Sequence, residues 1–221
     1  MSASEFVYIG FRPMINALLL IFHPTAAWER ISQASRSLVK VLLGYLLPMV
    51  ALGTVAEGYG LVNWGKWRGD FPHLKKFPIG EAMIYETGQF LLSVGIVFLG
   101  AKLIKSIGET FHGRHTLGQC FAAVAYGLTP LFVLRFADAF PFISPWLTWT
   151  VGILLSIGLL YQGLPRVMEP DPPHAFGLYL MSSLLLFLIT GLARFVTAWY
   201  LAGKLTRLEG VVVELGAKLH P

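Results

Sequence analysis

Six polar side chains stand in or beside stretches of chain that are otherwise apolar: Glu57, Glu86, Gln89, Arg135, Asp138 and Arg194. A charged residue at the centre of a membrane span costs about 2.5–3.5 kcal/mol, so each of these needs a partner or a task. Following the chain through its apolar stretches puts all six in one leaflet, opposite the N-terminus. Glu57, Glu86, Gln89 and Arg194 form the candidate intramembrane cluster. An arginine beside two carboxylates makes an internal charge pair that fixes helix order. The same residues could also line a proton or ion path, or a polar ligand cavity. A relay needs carboxylates at several depths, and these share one. Arg194 is flanked by Leu192, Phe195, Val196 and Ala198, with no short snorkelling route to water. It is therefore expected to face the bundle interior and to pair with Glu86, otherwise with Glu57.

Other constellations carry less. Glu109, His112 and His115 are spaced i, i+3, i+6, but a Glu-x-x-His pair binds a transition metal only when a second pair faces it. No second pair is present and Gly113 interrupts the helix, so neither metal nor cofactor is expected. His23, His73, His174 and His220 are isolated in sequence. There is no Gly-x-Ser-x-Gly elbow, phosphate-binding glycine loop or His-Glu-x-x-His, and the reading is of a non-enzyme. The single Cys120 excludes an intramolecular disulfide.

The elements that must position these residues are set by hydropathy. Of 221 residues, 55% are hydrophobic and only 13% charged, with a mean hydropathy of +0.65; soluble domains carry about 25% charge. Leu38–Glu57, Ala82–Ile104, Leu117–Leu134, Phe142–Tyr161 and Phe176–Ala202 each match the roughly 20 helical residues that cross a bilayer. Backbone groups in lipid must be satisfied within a segment, so these are helices. The fold class is an all-α membrane protein, a bundle of about five transmembrane helices with N-terminal interfacial helices. The divisions are 1–37 for the interfacial helices, 38–202 for the transmembrane domain and 203–221 for an amphipathic tail. That tail carries Leu205, Leu208, Val212, Leu215 and Leu219 at helical spacing.

Met14, Ile15, Leu18, Leu19 and Phe22 give one apolar face between Pro13 and Pro24, as for a helix lying in the interface rather than a cleaved leader. In the next helix Trp28 and Ile31 oppose Glu29 and Arg30, which reads as a headgroup-level anchor. Pro48 and Pro130 predict kinks. Gly118, Ala122, Ala123 and Gly127, with Gly152 and Ser156, are spaced for close helix packing. The connection Leu61–Glu81 mixes tryptophans with lysines, as suits a segment lying on headgroups. The partners expected are the lipid bilayer and other membrane proteins, in a homo- or hetero-oligomer. With basic residues unclustered, nucleic acid is not expected. Lysines and arginines tie eight to eight across the two sides, so charge gives no orientation.

Three stretches resemble the Yip (Ypt/Rab-interacting) family of membrane proteins, in its bacterial branch. One is His23 to Ile31, with Pro24 and Trp28 ahead of the first span. Another runs from Gly113 through Gln119 to Tyr126 and Pro130. The last is Tyr161-Gln162-Gly163-Leu164. The resemblance covers about Pro24 to Ala202. It implies a five-helix bundle with a cytosolic N-terminus, in a bacterial cytoplasmic (inner) membrane. Eukaryotic members are linked to Rab GTPases and membrane traffic; their long acidic segment has no counterpart ahead of Pro24, so GTPase binding is not carried over. The expected function is a non-enzymatic scaffold, membrane-organising or trafficking-type protein, or a subunit of a membrane complex. The alternative is a small transporter or channel.

Overall fold

The computed structural model describes residues 14–15, 17–33, 37–68, 73–110, 116–170 and 172–202. The tail at 203–221, Gly113, His112 and His115 lie outside them. Residues 17–22 are helical and lead into α1 (Pro24–Gln33). Then follow α2 (Leu38–Asn63), a short hairpin of β1 (Lys66–Arg68) and β2 (His73–Lys75), and α3 (Ile79–Thr110). A broken span comes next, built from α4 (Leu117–Gly127), α5 (Thr129–Leu134) and a 3-10 turn at Arg135–Ala139. It is succeeded by α6 (Pro145–Met168) and α7 (Pro172–Leu201). Among the described residues four helices are long and apolar enough to cross a membrane, and the broken pair, bent by 42°, makes a fifth when it is counted as one span.

Each chain break has a local cause. Pro48 cannot donate to Gly44, four residues back, and the helix widens into a π turn at Leu42–Leu46 just ahead of it. Pro130 likewise cannot donate to Tyr126. The Thr129 hydroxyl serves that carbonyl instead, at 2.6 Å. The hydroxyls of Thr129 and Tyr45 lie 2.7 Å apart, and the Tyr45 ring stacks on Tyr126 at 4.5 Å. The π turn of α2 is thus tied to the break between α4 and α5.

The broken span is central. From Gln119 to Pro130 every residue is buried, as befits a helix that is apolar on all sides. Small residues let its neighbours close in: a side chain at Gly127 would meet Leu160 at 2.5 Å, and one at Gly152 would meet the Leu131 backbone at 2.9 Å. The spacing argument therefore described real contacts, between the broken span and α6.

The N-terminal reading needs correction. Trp28 is fully buried rather than at the headgroups, and its indole covers Gly163 of α6, where a Cβ would collide with the ring. Ala27 and Ile31 are buried beside it, while Glu29 and Arg30 are exposed, so the two faces of α1 were assigned correctly but to the wrong neighbour. Ahead of α1, Ala17 and Leu20 turn inward and Ile15, Leu18 and Phe22 outward. The hairpin between α2 and α3 pairs Lys66 with Lys75 and Trp67 with Leu74, in a connection expected only to lie on headgroups.

Candidate functional site: an intramembrane charge cluster

The 3-10 turn that ends the broken span carries Arg135 and Asp138, three residues apart. In a 3-10 helix residues at that spacing eclipse one another, so both point to the same side, into the bundle. Gly60 of α2 admits the turn, because a Cβ there would run into the Ala139 backbone. The Arg135 stem lies over Gly53, within 3.7 Å of where a Cβ would stand.

From this position Arg135 binds two helices. Its Nε donates to Glu57 of α2 at 2.9 Å, its Nη2 to Glu86 of α3 at 2.9 Å, and its Nη1 to Ser93 at 3.2 Å. Glu57 is fully buried. Tyr85 donates to Glu57 at 3.5 Å, and Gln89 donates to the Tyr85 hydroxyl at 2.7 Å. On the other side, Arg194 of α7 donates to Asp138 at 2.6 Å and to the Pro145 carbonyl, and Thr148 donates to Asp138 at 2.6 Å.

The pairing expected from sequence is therefore overturned. Arg194 faces the interior, but its carboxylate is Asp138, while Glu86 and Glu57 belong to Arg135. The physical reason is the break at Leu128–Pro130. A straight third span would carry Arg135 and Asp138 on along its axis, whereas the 42° bend and the tight turn carry them back into the bundle. The sequence puts Arg135 and Asp138 beside the cluster without giving either a partner. The signal for one was their i, i+3 spacing just after a proline break.

A third cation closes the cluster from outside the spans. Lys66 is 3% exposed, and its Nζ donates to the Phe140 carbonyl at 3.1 Å. Burial lowers its pKa below the usual lysine value, against the attraction of Asp138 and Glu57. Among the described residues the cluster thus holds three cations (Arg135, Arg194, Lys66) against three carboxylates (Glu57, Glu86, Asp138). A buried charge with no opposite partner is what a low-dielectric interior tolerates least.

Between the two arginines lies a cavity of about 70 Å³, whose lining includes Gln89, Ser93, Arg135, Thr190, Arg194 and Thr197. At about 10–15 Å³ per water it has room for a few water molecules, well short of the roughly 300 Å³ or more of an organic-ligand site.

Several of the remaining sequence-predicted positions hold helices together. Thr116 and Gln119 form a reciprocal cap on α4, and Gln119 Nε2 also donates to the Val167 carbonyl at the end of α6, at 3.2 Å. Pro24 opens α1, which carries Trp28 onto Gly163, so the first and last of the three motif stretches touch. Tyr126 and Pro130 belong to the tie with Tyr45. Tyr161 is exposed, with its ring edge-on to Tyr179 at 5.2 Å. Glu109 is bound by Lys105 at 2.6 Å on the surface.

Comparison with known proteins gives one family: the model described as Yip1 domain matches residues 18–194. That range runs from the helical stretch ahead of α1 to Arg194 itself. No curated protein and no solved structure matches the chain.

Proposed function

The chain belongs to the Yip1 domain family, and from that premise we propose that it is a non-enzymatic integral membrane protein that works through protein or lipid contacts. The roles that fit are scaffold, organiser of a membrane, or subunit of a membrane complex. The observation that carries the reading is how the intramembrane charges are spent. Arg135 and Arg194 are each committed to carboxylates within 2.9 Å, across four separate helical elements. Such a cluster fastens α2, α3, the 3-10 turn and α7 in one arrangement, and it supports a rigid body that presents its outer face to others. That outer face is apolar, with Val55, Ile84, Leu154 and Leu192 each more than 60% exposed.

Transport has thin support by comparison. The buried charges of the spans gather at one end of the bundle, and the cavity between the two arginines, about 70 Å³, is too small for a solute. We place the protein in a bacterial cytoplasmic membrane with its N-terminus in the cytosol, which puts the charge cluster and the hairpin in the outer leaflet. Mild-detergent purification with crosslinking tests the proposal. Defined protein adducts or retained lipid are expected, and a bare monomer would overturn it. Ion or solute flux from liposomes containing the pure protein would favour the transporter instead.

A further inference from the structure

One polar atom of the cluster is left over. Glu86 Oε2 receives Arg135, but Oε1 is buried and has no hydrogen-bond partner among the described residues. Glu57 and Glu86 share a single guanidinium, so this side of the cluster has more acceptor charge than donor. Glu86 also lines a second concavity, a groove of about 470 Å³ on the lipid-facing side of α2 and α3. Its walls are mostly apolar, with Val55, Tyr59, Ile79 and Met83 each at least 60% exposed, and Asn63 lies at its outer end. The volume falls within the ~300–1,000 Å³ of small-molecule sites. Gly58 leaves room for the Glu86 stem, which would press on a side chain there at 3.1 Å.

From this juxtaposition we propose that the groove binds one phospholipid whose headgroup ends in a primary ammonium, with the ammonium donating to Glu86 and an acyl chain lying along α2 and α3. The depth allows it. Glu86 is five residues past Glu81, about 7 Å along the helix, and side chains tilt toward the helix N-terminus, which here is the nearer membrane surface. A primary ammonium offers three N–H donors and a charge-assisted bond to the carboxylate. A quaternary choline offers no N–H, and an anionic glycerol headgroup has the wrong charge. The proposal deepens the contact-making function and rests on it. Solute flux would remove that function and leave lipid binding intact, whereas failure of lipid binding leaves crosslinked protein partners standing.

The test is native mass spectrometry of the full chain in detergent with added phosphatidylethanolamine, phosphatidylcholine or phosphatidylglycerol of matched acyl chains. One phosphatidylethanolamine per chain should be retained at least tenfold better than the other two. Met83→Trp fills the groove without touching the ion pairs, and should abolish retention while the melting temperature holds. Glu86→Gln should erase the preference for ethanolamine; if that variant does not fold, Met83→Trp alone decides. Equal retention of the three lipids would overturn the proposal. So would retention unchanged in Met83→Trp, or a dimer that Met83→Trp dissociates without altering lipid retention, which would assign the groove to a second copy.

Discussion

Replacing Arg194 by Met removes the donor held by Asp138, Thr148 and the Pro145 carbonyl, and leaves Asp138, 2% exposed, without its cation. Breaking a buried pair from one side costs on the order of 3–5 kcal/mol, because the surviving charge stays desolvated. Asp138→Asn in the same chain removes that charge and keeps an oxygen for the Thr148 hydroxyl, which donates to it at 2.6 Å. The Pro145 carbonyl loses its guanidinium donors but lies 2.9 Å from the Thr148 hydroxyl, a residual cost of about 1 kcal/mol. The double variant should therefore lie within about 1–2 kcal/mol of the parent, a rescue of about 2–3 kcal/mol relative to Arg194→Met alone. Arg194→Met with Glu86→Gln should show no rescue, because Glu86 belongs to Arg135. Thermal or denaturant unfolding in detergent, followed by folded yield on gel filtration, reads all four states of each cycle. A double variant with Asp138→Asn as poor as Arg194→Met alone, or rescue by Glu86→Gln instead, would refute the assignment of partners.

Arg135→Met should be at least as damaging as Arg194→Met, since it orphans Glu57 and Glu86 together, and adding Glu57→Gln and Glu86→Gln should restore most of the folded yield in the same assay. Gly163→Leu should displace the Trp28 indole and cost about 1–3 kcal/mol, seen as a lower melting temperature and a red-shifted tryptophan emission. Lys66 is depressed in the folded protein, so the unfolded chain binds more protons in the window between its folded pKa and the usual lysine value. Stability should rise with pH across that window, and Lys66→Met should flatten the rise in melting curves taken from neutral to about pH 10. On a Cys120→Ala background, a cysteine at Lys76 should react with a membrane-impermeant thiol reagent in intact cells and one at Thr110 should not; the reverse pattern would invert the proposed orientation.

The order of the apolar helices and the grouping of the charged residues toward one end of the bundle were legible in the sequence. Lipid leaves the backbone no option but the helix, and a run of about 20 apolar residues is a one-dimensional signal. The same holds for the inward face of α1 and for the small residues of α4 and α6, which follow from helical period alone. Partnership did not follow. Which carboxylate meets Arg194 depends on where the chain goes after Leu128, and a proline announces a break without giving its angle or the tight turn beyond it. Trp28 shows the same limit: beside an arginine it reads as an anchor in headgroups, and only the approach of Gly163 from a helix more than 130 residues later makes it core. Lys66 sits in a polar connection and looks solvated until the hairpin folds over the bundle and buries it at Phe140. In each case sequence determined the helix and its face, because those are properties of one segment and its solvent. Tertiary structure decided the neighbour, because a contact is a property of two segments whose relative placement no local pattern encodes.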